Sequence, residues 1–226
     1  MESKTMKEDE RIKKILKQRI VKIIENILNN KNVSEARGTL AEIRHCMVLT
    51  PDKASALWGY IYAFEPEQMT GRQQQQYEKA LYNSLTFFAL HQQSHDIKLE
   101  PMHKIPKGDN LSEFTLGDSV WRVAEKKADN KGDSVEEELE RIKKRFNLLV
   151  TTQNFDDFLY YLRRMVSLLS GEGISLNYGL LAEELYDYQS DYKQPRLRLQ
   201  WVREFYRNYT FLNKNYADDE NNIQQA

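Results

Sequence analysis

Cysteine is almost absent from this chain: its 226 residues hold one, Cys46. No internal disulfide framework can form, and a reducing cytoplasm is the expected compartment. Glycine and proline are also scarce, nine and five. So few breakers argue against many short strands and for long helices. No run approaches the roughly 18 apolar residues of a membrane span, and no membrane partner is expected. The opening "MESKTMKEDERIKK" has no apolar stretch of the secretory type.

Catalytic signatures are missing too. No glycine-rich phosphate loop, nucleophile elbow or paired-cysteine zinc pattern occurs. In "HQQSH", His91 and His95 are four apart, the histidine spacing of zinc metalloproteases. The water-activating glutamate of those enzymes is replaced here by Gln92, which cannot take a proton. His45 and Cys46 are adjacent, so on a helix they point about 100° apart and pair poorly as base and thiolate. The expectation is a protein that is not an enzyme and holds no cofactor or metal.

What the chain does have is charge and helical periodicity. Apolar residues make up 40% and charged residues 30%, above the usual quarter, with a net charge of −1. The signs are segregated. "EGISLNYGLLAEELYDYQSD" carries five acids and no base, and the tail "ADDENNIQQA" three acids and no base. "RIKKRFNLLVTTQNFDDFLYYLRR" carries six bases against two acids. Segregation suits a polyanion partner or an oriented protein interface, unless the charges cancel once the chain folds.

Apolar residues at three- and four-residue spacing predict an amphipathic first helix with a basic outer face, through Ile12, Ile15, Leu16, Ile20, Ile23, Ile24, Ile27 and Leu28. A shorter helix follows in "SEARGTLAEIRHCM", with Ser34 as a candidate cap. "TPDKASALWGYIYAF" predicts a helix with Thr50 as cap and Pro51 in its first turn. "TGRQQQQYEKALYNSLTFFALHQQS" predicts a long one capped by Thr70. Periodicity stops between His95 and Ser112, where Pro101, Pro106 and Gly108 fall. It resumes in "TLGDSVWRVAEKK". Ser134 with Glu137 reads as a capping box for a helix with core positions Leu139, Ile142, Phe146 and Leu149. Asn154 caps the next, whose apolar face is Phe155, Phe158, Leu159, Leu162, Met165, Val166 and Leu169, and the glycines of "SGEG" end it. Two more helices follow, the last with a stripe of Val202, Phe205, Tyr209 and Leu212. The expected fold is all-α, a two-lobed bundle of about eight or nine helices: an N-terminal lobe over 1–95, a linker loop over 96–112, a C-terminal lobe over 113–216 and a disordered tail over 217–226.

Basic residues recur on these helices at one-face spacings. Arg37 and Arg44 are seven apart. Arg141, Lys144 and Arg145 share a face away from the core positions of their helix. Arg163 and Arg164 sit at the margin of the next. Arg196, Arg203 and Arg207 line the last, at spacings of seven and four. Arginine suits phosphate because its planar fork donates two hydrogen bonds at once. Such stripes track a nucleic-acid backbone, and they equally occur as solvated faces or on a protein-binding helical scaffold.

"RFNLLVTTQNFDDFLYYLRRMVSLLSGEGISLNYGLLAEELYDYQ" followed by "RLRLQWVREFYR" resembles the C-terminal half of the CasB family, the small subunit of the type I-E CRISPR surveillance complex, Cascade. "ARGTLAEIRHC", "LWGYIYAF", "ALYNSLTFFALHQQS" and "TLGDSVWRVA" resemble the preceding family segments in the same order, so the likeness runs from about Ala36 to Tyr209. It implies an all-helical, non-catalytic protein, present as a stacked pair beside the crRNA-bearing backbone and the large subunit. It also implies a basic surface that helps hold the opened target DNA, the displaced strand in particular. By position, Arg44 matches a family basic residue; the neighbouring site, often basic in the family, is here His45. Lys144 and Arg145, Arg163 and Arg164, and Arg196, Arg198, Arg203 and Arg207 match further basic positions.

Overall fold

The computed structural model describes residues 2–63, 69–107, 112–131 and 135–207. Nine α-helices run in order among them: α1 (Glu2–Leu28), α2 (Val33–Cys46), α3 (Ser55–Tyr62), α4 (Gly71–His91), α5 (Leu116–Lys131), α6 (Val135–Thr151), α7 (Phe155–Glu172), α8 (Tyr178–Tyr188) and α9 (Gln194–Arg207). No strand occurs among the described residues; one isolated parallel bridge joins His103 to Leu176. The expected all-α class and helix number are both met. The expected disordered tail and the Ser134 cap lie outside the described residues.

Apolar spacing accounts for the packing. α1 buries Ile12, Leu16, Ile20, Ile23, Ile24 and Ile27, with Ile15 and Leu28 half-buried. Its main partner is α8, which also lies on α4, while α4 meets α7 and α5 meets both α6 and α9. Helices from the first and second halves of the chain therefore share one hydrophobic cluster. Two glycines permit the closest approaches. A Cβ on Gly179, at the start of α8, would lie 2.8 Å from Cγ2 of Val21 and 3.1 Å from Cγ of Lys17 on α1. A Cβ on Gly117 of α5 would lie 2.4 Å from the Trp201 carbonyl oxygen of α9.

Local starts and stops depart from expectation in two places. Asn32, not Ser34, caps α2: its side chain accepts the Glu35 N–H at 3.2 Å, leaving Ser34 inside the first turn. The helix expected from Thr50 is interrupted. Pro51–Lys53 is a 3₁₀ turn, Ala54 leaves helical geometry with ψ at 55°, and α3 starts at Ser55. The other caps are as read. Thr70 and Gln73 form a capping box on α4, Asn154 accepts from Asp156 and Asp157 on α7, and Gly173 ends α7 with φ at +63°.

The aperiodic stretch after α4 is tied down. The Gln92 side chain donates to the Glu100 carbonyl (3.1 Å) and accepts the Met102 N–H (2.9 Å), and the Tyr178 N–H is accepted by His103 Nδ1 at 3.1 Å. The bridge at Leu176 adds a backbone connection to the turn before α8.

Candidate nucleic-acid interface

Two basic residues, Arg145 and Arg164, meet where α6 passes α7, each with an exposed basic neighbour in sequence, Lys144 and Arg163. Leu139, Ile142, Phe146 and Leu149 face inward from α6, which turns Lys144 and Arg145 outward. On α7, Leu162, Met165 and Val166 are buried and Arg163 and Arg164 exposed, as the spacing predicts. Arg145 and Arg164 line one shallow cleft of about 150 Å³, with Leu148, Tyr161, Met165 and Leu168 as its apolar wall. Among the described residues, no carboxylate pairs with Lys144, Arg145, Arg163 or Arg164. Arg164 instead donates to the Tyr160 hydroxyl at 3.3 Å and lies over that ring, 5.7 Å from its centre.

Arg141, on the same helix, is differently placed. Its guanidinium is ion-paired to Glu138, which is only 2% exposed, and reaches Glu137 at 4.0 Å. The buried Glu138 carboxylate needs that positive partner, so Arg141 serves its own helix.

Arg37 and Arg44 line a second cleft, of about 330 Å³, closed by Gln92, Gln93, Ser94, His95 and Asp96. Arg37 lies 3.8 Å from the Asp96 carboxylate. That carboxyl is held below its usual value by the N–H groups of Leu99 and Lys98, with Arg37 a smaller cause. His45 lines a different hollow. The two arginine clefts share no lining residue.

On α9 the buried stripe is Leu197, Trp201 and Phe205, not the expected set: Val202 is half-buried, and Tyr209 and Leu212 lie outside the described residues. Arg196, Arg203 and Arg207 are exposed. Arg198, by contrast, turns inward. It donates to the Thr152 carbonyl and the Gln194 side chain, each at 2.6 Å, and lies over the Tyr188 ring. That arginine fastens α9 to the end of α6.

Much of the remaining charge cancels within the fold. The acid-rich stretch ahead of and along α8 meets lysines of other elements: Lys13 with Asp187 and Lys17 with Glu183, both at 2.9 Å, and Lys127 with Glu172 at 2.6 Å. Lys193 bridges Asp187 and Asp9 at 2.8 and 3.0 Å. Part of the expected basic outer face of α1 is therefore spent on α8. Tyr160 is a residue that the charge pattern passed over. It stands four positions before Arg164 and is 57% exposed, a spacing that puts ring and guanidinium on one helix face.

The histidine pair does not form a metal site. α4 ends at His91, so His95 leaves its face. His91 is buried, with Nδ1 2.9 Å from the Tyr178 hydroxyl, and burial holds it down at about 3. His95 Nε2 meets the Ser170 carbonyl at 2.8 Å. No group of three or more metal-ligating side chains occurs among the described residues. Cys46 is buried and burial raises its thiol, against a reactive thiolate. No described helix is long and apolar enough to cross a membrane.

The crystal structure of CasB from Thermobifida fusca is similar over 86% of this chain and 97% of its own, at 28% identity and a TM-score of 0.62. CasB from M. ruber (88% and 97% covered, 18% identity, TM-score 0.59) and from Thermus thermophilus (84% and 97%, 18%, 0.57) share the fold. No curated protein matches the sequence. The family model for CRISPR-associated protein Cse2 matches residues 39–206, which run from within α2 to within α9 and include every candidate interface residue except Arg37 and Arg207. The chain belongs to the CRISPR-associated protein Cse2 family.

Proposed function

We propose that this protein is the small, non-catalytic subunit of a type I-E Cascade complex, and that it stabilises the R-loop by holding nucleic-acid backbone against its basic helical faces. The observation that carries the reading is the meeting of Arg145 of α6 with Arg164 of α7 in one cleft, with Lys144 and Arg163 exposed next to them in sequence and none of the four paired to a carboxylate among the described residues. At Arg141, Lys13 and Lys17, by contrast, the fold neutralises its own charge. Opening DNA against a guide RNA is a near-balanced exchange of base pairs, tipped by protein contacts to backbone. The displaced strand is the natural occupant of such a surface. Arg37, Arg44, Arg196, Arg203 and Arg207 supply further positive charge for crRNA, target strand or a stacked second copy. With a net charge of −1, the isolated chain binds nucleic acid weakly. Tethering inside the complex raises the effective concentration and makes such contacts count.

Charge reversal separates this reading from a purely structural spacer. Arg145→Glu with Arg164→Glu is expected to leave the reconstituted complex assembled while target DNA is lost. A spacer that uses these side chains on neighbouring subunits would instead fail to assemble.

A further inference from the structure

An exposed tyrosine stands within the basic surface. Tyr160 on α7 is 57% exposed. The Arg164 guanidinium lies over its ring and donates to its hydroxyl. Tyr161 packs edge-on to it, ring centres 5.3 Å apart at 73°, and is itself half-buried in the wall of the Arg145–Arg164 cleft. The outer ring is thus held in place by two neighbours, and its orientation does not have to be fixed when a ligand arrives. Nothing in the core requires it: the buried face of α7 is complete with Phe158, Leu162, Met165, Val166 and Leu169.

Phosphate alone does not call for an aromatic. Surfaces that hold single strands without sequence preference combine a cationic track with rings on which unpaired bases stack, since every base has a π-face. We infer that Tyr160, braced by Arg164 and Tyr161, is a stacking platform for an unpaired base of single-stranded DNA, while Arg145 and Arg164 engage the flanking phosphates. This rests on the proposed backbone-holding role of the same surface and narrows it: the ligand is an unpaired strand, not duplex, whose bases lie stacked inward.

The test uses the reconstituted complex with a target whose displaced strand is either normal or abasic opposite this surface, so that phosphates remain and bases do not. Affinity is measured over a series of salt concentrations. Tyr160→Ala is expected to weaken binding of the normal strand by roughly five- to tenfold with the salt slope unchanged. Tyr160→Phe should retain nearly all affinity. The abasic strand should bind the unaltered complex as weakly as the normal strand binds the Tyr160→Ala complex, with no further loss on combining the two. Arg145→Ala, in contrast, should lower affinity and flatten the slope by about 0.7. Loss with Arg145→Ala but none with Tyr160→Ala would overturn the stacking role and leave the backbone role standing. No effect of either would remove both. A Tyr160→Ala complex that fails to assemble, or a Tyr160→Phe loss as large as that of alanine, would also overturn it, marking the side chain as a protein anchor or a hydroxyl donor.

Discussion

Single arginines in this protein have three different fates, and one-dimensional spacing does not tell them apart. Arg198 and Arg196 are two residues apart on α9, yet one is clamped under the helix and the other is exposed. Arg141 and Arg145 are four apart on α6, and only the first is taken by the chain's own carboxylates. Which of these holds depends on a distant partner, such as the Thr152 carbonyl that Arg198 reaches across 46 residues. Arg198→Ala should accordingly destabilise the protein by about 1–3 kcal/mol, read by chemical denaturation, because the buried Gln194 side chain loses its donor and the Thr152 carbonyl keeps only the Tyr188 hydroxyl. The DNA salt slope should stay as it was; a changed slope with unchanged stability would return Arg198 to the interface. The positions of Lys144, Arg145, Arg163 and Arg164 were legible for the opposite reason. Each lies beside a strongly periodic core residue, and the periodicity alone turns them outward.

At the scale of elements, long helices were readable and their interruptions were not. The face of α7 and the caps at Thr70, Asn154 and Gly173 follow from local sequence, since each cap satisfies backbone groups within three or four residues. The break at Ala54 does not: Pro51 fits a first helical turn, but here it begins a 3₁₀ turn whose carbonyl accepts the Trp58 indole N–H at 3.0 Å. The inward use of the α1 lysines was equally hidden, because their carboxylate partners lie more than 160 residues away. Helix pairing makes a sharp prediction at the two close-approach glycines. Gly117→Ala places a Cβ against the α9 backbone, which cannot yield as a side-chain tip can, and should cost about 1–3 kcal/mol, read by chemical denaturation. Gly179→Ala meets side chains of α1, Val21 and Lys17, rather than backbone and should cost less. Equal and negligible losses would contradict so close an approach of α5 to α9.

For the molecule as a whole, buried titratable groups set a pH window. Burial depresses His91 from the usual 6.5 to about 3 and His103 to about 4. The unfolded chain therefore binds more protons than the folded one below 6.5, and stability is lost as pH falls through that value toward the folded ones. Glu184 and Glu204 work the other way. Burial is the main cause that raises both carboxyls, and for Glu184 the neighbouring Glu204 charge adds to it. Their contribution is present at low pH and fades as pH rises above the ordinary carboxylate value. Denaturation midpoints should thus fall on both sides of a maximum, and Glu204→Gln should flatten the alkaline arm. Between the ordinary carboxylate and histidine values the two effects oppose each other, so the histidines are read below that range: a midpoint that did not fall from about pH 4.5 to about pH 3 would contradict the buried neutral histidines.

The same whole-molecule view bears on function, since an almost neutral protein leaves unpaired positive charge exposed on α6 and α7. The most direct measurement is the log–log salt dependence of target-DNA affinity for the complex carrying Lys144→Ala, Arg145→Ala, Arg163→Ala and Arg164→Ala together. With each lost contact to a single strand worth about 0.7, the slope should be shallower than that of the unaltered complex by about 3, with weaker binding at low salt. An intact complex with the original slope and affinity would contradict the account.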